Sequence, residues 1–218
     1  KATGRLQIID EFALRGAAST GFRAPTIGQS MVRNVTTSFT AGKGLVDNAT
    51  LPPTHPISVL KGGKPLTPEE SVNLSFGGVL EIDDFYFTLD LYNIAVDDRI
   101  SQSSSKPLSI QDIEKLELLG VSDASSYSGV KFFTNDFDTT TRGIDLVGNY
   151  GTDLLGGRTT FALAVNYNKT SVDRVSEYVV VNELGLPVLD VNGKPKKETN
   201  INEAKVKQIE DGLPHVRG

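Results

Sequence analysis

Cysteine is missing altogether from this 218-residue chain, and so is tryptophan; there are two histidines and one methionine. Without cysteine there is no disulfide framework, no thiol nucleophile and no thiolate-ligated metal. No stretch approaches the ~18 apolar residues that a membrane-spanning helix needs. That absence leaves membrane strands untouched, because they cross with only about ten alternating residues. No apolar segment follows a basic start, so no signal peptide is visible. A start at Lys1 rather than Met reads as a piece of a longer protein. The net charge of −5 disfavours a nucleic-acid surface. What the chain does have is 21 glycines, the mark of many turns.

Residues alternate with period two in six segments, the signal of half-buried strands. Gly4 to Ile9 ends at Asp10-Glu11 and is followed by Phe12 to Gly21. Phe12 and Leu14 take one parity of that strand; Ala13, Arg15, Ala17 and Ser19 take the other. Small residues and an arginine on the polar face suit a wall between lipid and a crowded aqueous lumen. Ser71 to Glu81 and Phe85 to Val96 alternate on either side of Ile82-Asp83-Asp84. The parity slips near Asn93, where Ile94 and Val96 become the apolar set, which predicts a bulge or a loss of lipid contact there. Thr139 to Tyr150 and Arg158 to Lys169 form a third pair, joined by Gly151 to Gly157.

The connections alternate short and long. Long polar segments cover Phe22 to Pro68, Ser101 to Asp138, and Thr170 onward. Unstructured connections of that length are uncommon in compact soluble domains. Outer-membrane barrels have short turns at one rim and long loops at the other. Within the loops, Ser109-Ile110-Gln111-Asp112 reads as a capping box with Asp in place of Glu or Gln. Ile110, Ile113, Leu116 and Leu119 then follow at helical spacing up to Gly120, a C-cap. A second short helix is predicted from Asn202 to Glu210, and a hairpin tip at Val191-Asn192-Gly193-Lys194.

Four passages resemble one family. Leu14 to Pro25, ending in Gly21-Phe22-Arg23-Ala24-Pro25, is similar to a barrel strand and loop start of TonB-dependent outer-membrane receptors. Leu66-Thr67-Pro68-Glu69-Glu70-Ser71-Val72-Asn73 through Gly77 resembles their "L-x-P-E-x-S-x-N-x-x-x-G" strand opening, and Phe87 to Ile100 the strand that pairs with it. Thr134-Asn135 with Thr139-Thr140-Thr141-Arg142-Gly143-Ile144-Asp145 resembles "T-N … T-x-G-x-D". The resemblance implies an all-β antiparallel meander across residues 1–218, part of a barrel of about 22 strands. No plug domain, energy-coupling box or terminal aromatic is found, so a C-terminal-half fragment of the barrel is expected. It further implies an outer-membrane parent that takes up a scarce large solute, such as a ferric siderophore, by TonB-coupled transport. Expected partners are the TonB system, through the missing N-terminal part, the solute, and outer-membrane lipid. Two open edges leave the isolated piece prone to pair with copies of itself.

No catalytic, cofactor-binding or metal-binding residue is assigned, and no enzyme activity is expected. Asp83-Asp84 reads as a turn and Asp97-Asp98-Arg99 as a polar rim, since successive strand residues face opposite ways and cannot act as a pair. Glu69-Glu70 reads as loop or strand start. His55, within Pro52-Pro53-Thr54-His55-Pro56, reads as a solvated loop histidine with no companion ligands. Asp190-Val191-Asn192-Gly193 starts like a calcium loop but lacks its distal Glu. Gly151 to Arg158 lacks the ending of a phosphate loop. Tyr86, Tyr92, Tyr150 and Tyr167 are candidates for interfacial rings.

The competing reading is a soluble β-sandwich that binds a carbohydrate-like ligand. It requires Phe76, Phe87, Leu89, Phe161 and Leu163 to form one buried core. The barrel reading leaves the same residues exposed.

Overall fold

The computed structural model describes residues 1–40, 44–180 and 186–218, and the backbone alone at Thr40. Residues 41–43 and 181–185, inside the first and third long segments, lie outside that description.

In chain order the elements are β1 (Ala2–Ile9), β2 (Phe12–Arg23), α1 (Ile27–Met31), β3 (Asn34–Thr40), β4 (Gly44–Thr50) and α2 (Pro56–Leu60). Next come β5 (Glu69–Ile82), β6 (Phe85–Gln102), β7 (Lys106–Pro107), α3 (Ile110–Leu118), β8 (Gly129–Lys131), β9 (Phe133–Leu154) and β10 (Gly157–Val175). The third loop holds β11 (Glu177–Val179), β12 (Lys197–Thr199), α4 (Glu203–Asp211) and β13 (Val216–Arg217). Strands β1-β2-β5-β6-β9-β10-β13 form one seven-stranded antiparallel sheet in that order. It is a meander of long strands and does not close on itself, as a segment of barrel wall. The predicted six strands are all present, and each runs further at one or both ends than alternation alone showed.

Of the two expectations at Asn93, a bulge or a loss of lipid contact, the bulge is not there. Pairing of β5 with β6 runs without a shift from Glu70↔Asp97 through Leu74↔Asn93 to Ile82↔Phe85. Asn93 stays on the apolar parity and Ile94 and Val96 on the lumenal one, because the strand changes its chemistry there rather than its register. The irregularity comes later, between Val96 and Arg99, with Asp98 at φ 51. The β9–β10 connection also differs from expectation. It is a two-residue turn at Leu155 (φ 54) and Gly156 (φ 83), the twist that matches a hairpin. The pairing takes up most of the expected Gly151 to Gly157 link.

Register defines two faces. One carries Leu14, Phe76, Leu89, Leu91, Ile144 and Leu163. The other carries Ala13, Arg15, Ser75, Asp90, Asp145 and Asn166. The first face is open to its surroundings: Phe76 is 57%, Phe161 55% and Leu163 59% exposed. The sandwich core therefore does not form. A contiguous apolar surface of this extent marks a face that a membrane or a partner covers.

The buried core lies instead in the loops. β3, β4, β8 and β7 make a separate four-stranded sheet, in which β4 and β8 are parallel and tie the first long loop to the second. Against it pack Leu51, Ile57, Leu116, Val130 and Phe132, all with no exposed surface. The α3 stripe is only partly used: Leu116 is buried, while Ile110 and Leu119 stay exposed. The Ser109 capping box forms in full, with Asp112 at N3.

Candidate functional site

Polar chemistry concentrates in three places: the lumenal face of the sheet, the rim where sheet meets loops, and a cavity within the loops.

On the lumenal face, strands reach past one another where glycine removes the side chain between them. Arg15 on β2 donates through Nε to Asp90 Oδ1 on β6 at 2.8 Å, and its Nη2 pairs with Oδ2. Gly77 of β5 stands between them in register, and a Cβ there would fall on the Asp90 carboxylate. Tyr92 on β6 passes over Gly143 of β9 in the same way, and its hydroxyl accepts from Asn166 Nδ2 on β10 at 3.1 Å. Tyr92 and Tyr86 thus line the lumen rather than a lipid girdle. Tyr150 and Tyr167 do stand on the outer face.

At the rim, all four passages singled out in the sequence meet. Arg23 grips Glu69 with two hydrogen bonds of 2.6 and 2.7 Å. Glu69 also accepts from the Ile100 backbone N–H at 2.6 Å. Asn135 accepts from Thr67 N–H at 2.9 Å and donates to Thr67 O at 2.9 Å and to Asp98 O at 2.7 Å. Arg174 clasps Asp138 at 2.5 Å and reaches Asp98 at 3.3 Å, and this pairing holds the Asp138 carboxyl below its ordinary value. Glu69 starts β5, as expected, and is in addition a buried carboxylate, 6% exposed, that joins three strands. Sequence reasoning missed it because nothing local to Glu69 shows that Arg23 lies in register opposite.

Within the loops a cavity of about 520 Å³ opens between α2, α3 and the β11–β12 hairpin. Lys61, Lys106, Lys115, Asp112, Tyr178 and Glu198 line it. Lys61 pairs with Asp112 at 2.5 Å. Burial would raise the Asp112 carboxyl, but the hydrogen bonds from Lys61 and Ser109 outweigh it and hold the group below its ordinary value. Lys106 donates to the Tyr178 hydroxyl at 2.6 Å and to Thr199 O at 2.8 Å. Burial pulls the Lys106 ammonium down, against the carboxylates of Glu198 and Asp136. Burial, joined by Glu198, pushes the Tyr178 phenol up to about 12. Behind Gly62, which lines the cavity, Asn200 Oδ1 is buried without a hydrogen-bond partner. Three ammonium groups against two carboxylates favour an anion over a cation here.

The remaining candidates hold structure together. Asp84 pairs with Arg158 across the short turns. His55 N-caps α2, its Nδ1 accepting from Ile57 N–H at 3.3 Å, so it is a helix cap rather than a free loop histidine. His215 Nδ1 lies 3.0 Å from Asn168 O. Asp190 spends its carboxylate on the N–H groups of Asn192 and Lys194. Among the described residues no three acidic or histidine side chains are grouped to hold a metal ion, and no helix is long and apolar enough to cross a membrane.

The family model for the TonB-dependent receptor-like β-barrel matches residues 1–193. The chain belongs to the TonB-dependent receptor β-barrel family. Members of this family are outer-membrane proteins. Among solved structures, the chain is similar to the RagAB peptide importer in its closed-closed state, at 13% identity and TM-score 0.49, covering 95% of this chain and 24% of that one. It is also similar to the siderophore receptor PirA from Pseudomonas aeruginosa, at 14% identity and TM-score 0.46, covering 79% of this chain and 30% of that one. A third is the ferric enterobactin receptor PfeA from the same organism, at 16% identity and TM-score 0.42, covering 78% and 21%. The chain thus spans less than a third of each of these structures. No curated protein matches.

Proposed function

We propose that this chain forms part of the wall and mouth of an outer-membrane barrel that imports a large, scarce solute, a ferric siderophore or a similar anionic chelate, by TonB-coupled transport. The observation that carries the reading is the two-faced sheet: one face exposes leucine, isoleucine and phenylalanine, and the other carries an ion-paired polar ladder. Lipid on one side and water on the other satisfy both faces, and closure of the parent barrel removes the open edges. Contacts to the solute come from the long loops and from parts of the parent outside this chain. The lysine-lined cavity supports an anionic solute, because ammonium groups in a half-buried site bind carboxylate or catecholate oxygens more strongly than in water. TonB is engaged through the part of the parent that precedes the barrel. Cut out alone, the sheet exposes the free edge of β1 and self-associates.

The test is on the full-length gene product. Expected are outer-membrane fractionation, faster gel migration before boiling than after it, and TonB-dependent growth on a ferric siderophore. A soluble product with one migration position overturns the reading. A heat-modifiable barrel that fails to support growth on any ferric chelate keeps the barrel and removes the siderophore.

A further inference from the structure

The outer face of the sheet changes character at one register step. The row Phe76, Leu91, Ile144 and Tyr167 is apolar and aromatic. One step toward the long loops the row reads Leu74, Asn93, Arg142 and Lys169. Arg142 and Lys169 are register partners, both exposed. Arg142 Nε donates to Asn93 Oδ1 at 3.0 Å, which anchors one edge of the exposed guanidinium. Among the described residues neither cation is in an ion pair. Above them stands Asp173, whose two carboxylate oxygens accept from Thr140 at 2.6 Å and Ser171 at 3.2 Å.

Both rows border one open depression of about 1050 Å³. Its lower wall is apolar, and its upper wall carries Arg142 and Lys169 with the Asp173 carboxylate beyond them. A lone basic residue facing lipid costs about 2–4 kcal/mol at the bilayer midplane and nearly nothing at the interface. The Arg142 and Lys169 row therefore marks headgroup height. Two adjacent cations repel each other, and an anion set between them removes the repulsion. A guanidinium fork beside an ammonium matches a phosphate.

We propose that this depression binds a phosphorylated membrane lipid of the outer leaflet, with its phosphate between Arg142 and Lys169 and an acyl chain along Phe76, Leu91, Ile144 and Tyr167. The Asp173 carboxylate above the site repels the phosphate from a higher position. The proposal rests on the outer-membrane reading.

The experiment uses the full-length receptor, purified in mild detergent, with bound lipid read by native mass spectrometry. Wild type retains a phosphorylated lipid. The Arg142→Gln/Lys169→Gln variant loses retention by about tenfold, the worth of roughly one charge-assisted contact. Arg142→Lys, which keeps the charge, and Lys64→Gln/Lys194→Gln, which removes two loop lysines, retain it. Heat-modifiable migration of every variant verifies that the barrel has folded, so failure of the outer-membrane reading shows separately. Equal retention in wild type and the Arg142→Gln/Lys169→Gln variant overturns the proposal. Displacement of the lipid by inorganic phosphate alone overturns the lipid assignment and leaves a plain anion site.

Discussion

Arg15 and Asp90 form an ion pair although a whole strand, β5, runs between theirs. Gly77 makes this possible, since it leaves no side chain in the gap. Gly77→Ala puts a methyl group against the Asp90 carboxylate and 2.6 Å from Leu89 O. The expected loss is about 1–3 kcal/mol, as for other overpacked sites. It appears as a lower temperature for the gel-mobility change of the full-length barrel. An unchanged transition temperature would show that Arg15 and Asp90 simply rearrange.

Gly143→Ala makes a second, sharper case. The new Cβ collides with the Tyr92 ring and stands 2.7 Å from Tyr167 O, a backbone atom that cannot swing aside. The expected destabilisation exceeds that of Gly157→Ala, where a Cβ meets nothing within 4 Å. Comparing the two variants in one thermal series separates the clash from the general effect of replacing glycine.

Glu69→Gln tests the rim clasp. The amide keeps the shape but removes the charge that Arg23 and the Ile100 N–H both engage. Breaking one member of a buried pair costs about 3–5 kcal/mol, and the half-exposed Arg23 side chain brings this toward the lower figure. Hydrogen exchange should quicken at residues 20–23, 69–72 and 99–101 together. Faster exchange at residue 69 and its neighbours alone would mean that the clasp is local.

The α3 start is expected to respond to acid. Asp112 has its folded value below the ordinary aspartate value of ~3.9. A depressed carboxyl stabilises the fold fully above the unfolded value and loses that contribution as pH falls through the folded one. Protection of the 109–119 amides should therefore stay level from pH 7 down to about 5 and decline below ~3.9. Asp112→Asn should flatten that decline. Ser109→Ala should cost about 1 kcal/mol at any pH, the usual worth of an N-cap.

Lys106→Met probes the loop cavity. It retains the buried stem beside Tyr178 and removes the charge. Binding of an anionic chelate by the full-length receptor should weaken about tenfold, with no change in barrel stability. Unaltered binding would move the solute contact elsewhere in the loops.

The wall of the barrel was legible in the sequence because period-two alternation is a local property. Phe12 to Gly21 announced its faces residue by residue, and Phe85 to Val96 did so as far as Tyr92. The loops were not legible in the same way. β3 alternates weakly through Asn34–Thr40, and its role depends on β4, whose other neighbour, β8, is far away in the chain. Leu116 looked no different from Ile110 and Leu119 on the helical stripe, yet only Leu116 meets the sheet core. Asn93 misled for the opposite reason. A polar residue on the lipid parity imitates a slip of register, and only its hydrogen bond to Arg142 explains its place. Glu69 and Asn135 bond across distances that no local pattern encodes.

The parallel pairing of Asn48 with Gly129 has a consequence for the order of assembly. A segment cannot dock onto a strand that has not yet arrived, and this one arrives about eighty residues later, a separation that makes closure slow. The first loop thus stays an unfinished flap with Leu51 and Ile57 uncovered until two further wall strands have been laid down. Until that pairing forms, Leu51 and Ile57 lack the Leu116, Val130 and Phe132 side chains that complete their core.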